Sequence, residues 1–344
     1  MQILSCRFWV VLLFSFIALE SHGSLADGPV QTFLGPGGQQ YAHEGFSHWE
    51  SGTREERYHV FEPDLPVATS SRFVVFLHDW MNSSPEYYKG WIRHLTRKGW
   101  VVVFPRYQGQ SSSEKYWLFN AVRSVKDYQQ QAFDRGIPAI DTSSFSIIGH
   151  GSGAILAANM AATSDYFGLP NVGVLFVVMP HQRNLKIQNL SGISSETLMA
   201  VVTGDQVSEE NELVARDIFY AADRVRTSNK IHLTAISDYY GQPPLIADER
   251  APLSPEKPLF ERFIIQNRHR FLSTFTNKFS ASHLRGMHID AFDWFVCFRV
   301  FDALSDQAYS QNYFDVLTDN PELRFMGYWS DGRRLKELLP TKRP

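Results

Sequence analysis

The sequence predicts an α/β fold, a doubly wound and mostly parallel sheet, on three observations. Short runs of five to eight residues are apolar on both pleat faces and rich in Val, Ile and Phe, as strands covered on both sides must be. Longer amphipathic segments, of the length a right-handed crossover needs, separate them. The two kinds alternate, strand then helix, through most of the chain.

In chain order, residues 24 to 70 are rich in Gly, Pro, His and aromatics and read as an irregular lead-in, with one alternating stretch, RYHVFEP at 57 to 63, as an edge strand. The core strands follow as RFVVFLH at 72 to 78, WVVVFP at 100 to 105, FSIIG at 145 to 149, VGVLFVVM at 172 to 179, LMAVVTG at 198 to 204 and KIHLTAIS at 230 to 237. Residues 85 to 98, 114 to 135, 152 to 163 and 209 to 222 have helical spacing. Residues 238 to 285 carry five prolines in a polar, Arg-rich context and predict an insertion or flap. A last helix is expected over 289 to 308, then a tail that keeps Phe325, Met326, Tyr328 and Trp329 together.

Size and composition agree with one domain over 24 to 344, since 44% hydrophobic content in 344 residues can bury a large core. A formal charge of −3 supplies no field for a phosphate backbone, so nucleic acid is not an expected partner. The basic residues Arg333, Arg334, Lys336, Lys342 and Arg343 read as a solvated tail.

Residues 1 to 23 pair Arg7 with a twelve-residue apolar run, Phe8 to Leu19, and the small-residue end Ser21-His22-Gly23. That pattern is a signal peptide, and the run is shorter than the roughly 20 residues a membrane span requires, so secretion without a stable membrane span is expected. Removal of the signal takes Cys6 and leaves Cys297 unpaired, inside an apolar run that suits a buried structural thiol. Sequons at Asn82 and Asn189 would make a eukaryotic version a glycoprotein.

The chemistry concentrates where FSIIG runs into His150-Gly151-Ser152-Gly153-Ala154 and a small-residue helix. A strand-to-helix turn of pattern G-x-S-x-G projects a nucleophile above a sheet, and its flanking glycines leave room for the sharp turn. With the pattern set on Gly149 and Gly153, the apex is Gly151, which has no side chain. A shift of one residue would make Ser152 the nucleophile but would put bulky His150 where a small residue is needed. Without that shift, Ser152 opens the helix and its hydroxyl can cap an early amide.

The chain resembles a family of bacterial secreted α/β-hydrolases related to dienelactone hydrolases and polyester-degrading esterases. The resemblance covers about Gly35 to Leu339 and rests on FLGPGGQQYAH, VVFLHDWMNSSPEYYKGWIRHLTRKGWVVVFPRYQ, GHGSGAILAANMAA, GQPPLIADERAPLS, FDALSDQAY and NPELRFMGYWSDG. It implies an α/β-hydrolase fold and a Ser–acid–His triad, and this chain departs from each catalytic position. The family serine falls on Gly151, the acid on Val207 with Asp205 nearby as a common turn residue, and the histidine on Glu249. The family's His-Gly-Trp becomes His78-Asp79-Trp80, which puts a carboxylate beside the amides that would form the oxyanion hole.

Without serine there is no acyl-enzyme, and without imidazole there is no base. An anionic Asp79 also opposes the charge of a tetrahedral intermediate, against donors normally worth about 3 kcal/mol each. Two readings follow. In the first, the protein is a pseudoenzyme that has lost serine-hydrolase activity and binds a small ester-like ligand or a protein partner, in a cavity rimmed by Trp80, Tyr107 and His181 or on its surface. In the second, it is an active carboxylic ester hydrolase that uses Ser152, Asp205 and a recruited histidine, with His288 chosen over His232, His269 and His283, or that activates water through Glu249 or Asp79. No metal motif and no nucleotide-binding loop is present, the loose grouping of His43, His48 and His59 reads as incidental, and no cofactor is expected.

Overall fold

The structure is a computed structural model that describes residues 26–66, 71–109, 113–134, 140–182, 185–256, 287–310 and 315–341. The expected signal segment, most of the expected flap (257–286, with His269 and His283) and the final basic residues Lys342 and Arg343 lie outside the described residues.

Nine strands form one sheet in the order β1-β2-β4-β3-β5-β6-β7-β8-β9. They are β1 (Phe46–Ser51), β2 (Tyr58–Pro63), β3 (Ser71–Leu77), β4 (Trp100–Pro105), β5 (Ile140–His150), β6 (Val172–Val178), β7 (Leu198–Gly204), β8 (Lys230–Ala235) and β9 (Leu339–Pro340). Strands β3 to β8 run parallel, while β1, β2 and β9 pair antiparallel. The helices are α1 (Lys89–Arg97), α2 (Trp117–Asp134), α3 (Ser152–Ala162), α4 (Glu209–Ala221) and α5 (Arg299–Tyr309). This is the α/β-hydrolase fold.

The double covering is visible residue by residue. Val74 and Phe76 of β3 join Trp91, Ile92 and Leu95 of α1 and Phe301 of α5 in one buried cluster. Phe73, Val75 and Leu77 join Val122 and Val125 of α2 and Ile155 of α3 in the cluster on the opposite face. Alternate side chains of one strand thus enter different cores, which is why the strand runs show no polar face.

Two expectations need correction. RYHVFEP is not an edge strand: β2 lies between β1 and β4, and β1 is the edge. The expected long last helix begins as a π-helix over Asp293–Phe298 and becomes α-helical only in α5. Within the expected flap, residues 238–256 pack down onto the sheet end, with Leu245, Ala247 and Leu253 all buried and Asp238 bridged to Leu245.

The chain reverses its winding at β3, whose neighbours are β4 on one side and β5 on the other. The carboxyl ends of β3 and β5 therefore flank the crevice where open α/β sheets place their ligands. His78-Asp79-Trp80 follow one, and Gly151-Ser152 follow the other.

Candidate active site

Two glycines fix the register of the elbow. A Cβ on Gly149 would lie 2.4 Å from Gly153 O and 2.6 Å from Ala157 Cβ, and one on Gly153 would lie 2.2 Å from Leu77 O. The G-x-S-x-G frame is thus set by close packing of β5, α3 and β3, and the apex is Gly151. Its φ of 60° and ψ of −123° form a backbone that side chains other than glycine's adopt only under strain. Buried His150 ends β5 and Ser152 begins α3. The one-residue shift that would make Ser152 the nucleophile does not occur.

The space above Gly151 is filled by Asp79. A Cβ on Gly151 would stand 2.2 Å from Asp79 Oδ1 and 2.3 Å from Asp79 Cγ, so a serine at the apex would require this side chain to move. Asp79 Oδ1 accepts from the amides of Trp80 at 2.6 Å and Ser152 at 2.9 Å. These are the oxyanion-hole donors of the fold: the residue after the nucleophile and the loop after β3. It also accepts from Ser152 Oγ at 2.9 Å and pairs with His181 Nε2 at 2.8 Å. The hole holds a carboxylate oxygen belonging to the chain itself.

Burial opposes charge on Asp79, but the hydrogen bond from His181, the neighbouring imidazoles of His150 and His181 and the Ser152 amide outweigh it and hold the carboxyl well below the usual carboxylate range. An acid this strong is a poor general base near neutral pH, where catalysis favours a pKa close to the operating pH.

A connected network keeps Asp79 in place. The Asp79 amide donates to Tyr88 Oη at 2.9 Å, Tyr88 Oη meets His150 Nδ1 at 2.9 Å, and His150 Nε2 meets Glu249 O at 2.8 Å. Because the Glu249 carbonyl can only accept, His150 carries its proton on Nε2 and takes the Tyr88 proton on Nδ1. Burial lowers the His150 pKa, in agreement with this neutral tautomer. On the other side, Tyr107 is fully buried, stacks on His78 with ring centroids 4.3 Å apart, and donates to the His78 carbonyl. It belongs to the buried core beneath the turn.

The remaining candidates are placed apart. Ser152 is fully buried; its Oγ accepts from Trp80 N at 3.0 Å and donates to Asp79, and among the described residues it bonds neither to its own helix nor to a histidine. Asp205 Oδ1 accepts from the amide and hydroxyl of Ser237, and the Ser237 hydroxyl accepts from Ala247 N, so Asp205 ties two loops together. His288 lines a cavity of about 150 Å3 with Asp248, Arg250 and Asp290. Ser152 is bonded to Asp79 and Asp205 to Ser237, so the two are not joined to one another.

The motif positions fare differently. Half-buried Val207 packs against the apolar core, and Glu249 Oε1 accepts from Asn211 Nδ2 at 3.0 Å. The loops carrying them converge on the elbow, for Gln206 N donates to Ala247 O and His150 reaches Glu249 O. Val207 and Glu249 are thus brought to the elbow end of the sheet by their loops. His181, which follows β6, is the residue whose role the sequence did not disclose: only the fold brings it to Asp79.

No protein-family model matches the chain, and no curated protein matches it. Similar solved structures include one of two fungal esterases from Rhizomucor miehei, at 14% identity, covering 56% of this chain and 74% of that chain with a TM-score of 0.43. Another is a tributyrin phosphonate structure of esterase B from Lactobacillus rhamnosis, at 13% identity, covering 56% and 75%, with a TM-score of 0.40.

Proposed function

We propose that this protein is a secreted pseudoenzyme: it keeps the α/β-hydrolase scaffold over residues 24 to 344, has lost serine-hydrolase activity, and acts by binding a ligand or a protein partner. The observation that carries the reading is the seat of Asp79 Oδ1, on both hole amides and 2.2 Å from where an apex Cβ would be. Every acyl-transfer route on this fold places a carbonyl oxygen in that seat. Here the seat binds a carboxylate permanently attached to the chain.

The secretion part rests on the Arg7 and Phe8 to Leu19 pattern. Among the described residues no helix is long and apolar enough to cross a membrane. Binding at the elbow would use the outer side of the turn, where Met81 is 52% exposed and Trp80 half-buried.

The competing reading, an ester hydrolase using Ser152, draws on the Ser152, Asp79 and His181 contacts. In that chain a carboxylate stands between hydroxyl and imidazole, so the serine has no base of suitable pKa. Incubation with a fluorophosphonate and intact-mass measurement tests the choice. The proposed reading expects an unmodified protein; a single adduct mapped to Ser152 contradicts it.

A further inference from the structure

The antiparallel pair β1 and β2 assembles a cluster unrelated to the elbow. Glu50 lies directly opposite His59, and His48, two residues before Glu50, shares its face. His48 Nε2 is 3.1 Å from His59 Nδ1, and His59 Nδ1 is 3.5 Å from Glu50 Oε1. One donor atom from each residue lies within 4.8 Å of the other two. Tetrahedral zinc with bonds of about 2.0 to 2.1 Å sets its ligands about 3.3 Å apart. The two closest separations bracket that value.

The rings are oriented by packing. Phe61 stacks on His48 with centroids 4.5 Å apart and planes 13° apart, and Phe104 meets His59 edge-on at 6.2 Å. Arg57 lies 4.0 Å from Glu50 Oε2, which leaves Oε1 for the histidine side. Outer contacts of this kind orient metal ligands before the metal arrives. His43, grouped with these residues by sequence proximity, is not a member: its carbonyl accepts from Arg97.

From this geometry we infer that His48, Glu50 and His59 form a binding site for a divalent transition-metal ion, with zinc the best fit. Two imidazoles and one carboxylate suit a borderline-soft cation, and neither calcium nor magnesium favours such nitrogen-rich donors. His48 and Glu50 are exposed on the sheet's edge strand, so the fourth coordination position faces solvent and takes water. The ion would clamp β1 to β2.

The test is a Zn2+ titration of the purified, tag-free protein against a chromophoric chelator. One equivalent is expected to bind with a Kd at or below about 10 μM. His48→Ala, His59→Ala and Glu50→Ala should each weaken binding by at least about tenfold, the loss that even an outer partner produces. Glu44→Gln, on an exposed residue outside the cluster, should bind as the parent does. Circular dichroism of each variant checks that the fold is kept. Absence of binding at about 100 μM Zn2+, or loss in fewer than all three alanine variants, overturns the site.

Discussion

Asp79 Oδ1 stands 2.2 Å from the point a Cβ on Gly151 would occupy, so the acid and the glycine are two halves of one arrangement. A side chain at residue 151 would meet the Asp79 carboxylate. Together the acid and the glycine give a packed turn whose hydrogen bonds are satisfied from within.

Gly151→Ser should therefore destabilise the parent by about 1 to 3 kcal/mol through overpacking. The same change in an Asp79→Gly background should cost less, because the clash is gone. Urea unfolding of the four proteins in the cycle measures the coupling, and additive costs would show that the two sites do not share space. A serine alone should not restore hydrolysis, since Glu249 stands at the family's histidine position.

Asp79 also gives a pH dependence with a definite sign. Its folded pKa is depressed, so its contribution to stability is present above the unfolded value near 4 and is lost as pH falls further. The parent should lose stability steeply below about pH 4, and Asp79→Asn should flatten that segment of the curve. Thermal unfolding between neutral pH and pH 3 checks this.

A close pair of acids, Asp290 and Asp293, predicts the reverse. Asp293 is fully buried and its Oδ1 has no hydrogen-bond partner among the described residues, while Asp290 N donates to Asp293 Oδ2 at 2.9 Å. Burial raises the Asp290 pKa to about 6 and pushes Asp293 well up. Raised carboxyls stabilise the fold below the unfolded value near 4 and cease to do so as pH rises through about 6. Asp293→Asn should raise Tm at pH 7 by about 2 °C, for roughly 1 kcal/mol, with little gain at pH 4.

Cys297 should be inert. It is 2% exposed, and burial together with Asp293 and Asp290 pushes its thiol up. The folded protein without its signal segment should show no thiol titre with an aromatic disulfide reagent, and one equivalent after denaturation. Rapid reaction in the folded state would contradict the buried placement.

The parallel core was legible because burial on both faces leaves a direct imprint: the runs at 100 to 105 and 198 to 204 coincide with β4 and β7. Strand β1 was not, since its exposed, polar FSHWES carries too few apolar residues to register as a pattern. The π-helix was hidden as well, because a shift in backbone hydrogen bonding inside an apolar helix leaves the side-chain pattern nearly unchanged. At the elbow, Gly151, Glu249 and Asp79 could be read from their positions in the motif. What required three dimensions was where the Asp79 carboxylate points and that His181, a hundred residues away in sequence, pairs with it. Of the proposed metal cluster the sequence offered only a loose grouping of His48 and His59 with His43, since Glu50 joins the two histidines through the β1 and β2 register.

The central claim, that an internal carboxylate has replaced the reacting groups, is tested most directly by hydrolysis of short-chain p-nitrophenyl esters by the purified protein beside its Ser152→Ala variant. The account predicts that both proteins are indistinguishable from buffer. Turnover by the parent that vanishes in Ser152→Ala would contradict it and make Ser152 a working nucleophile.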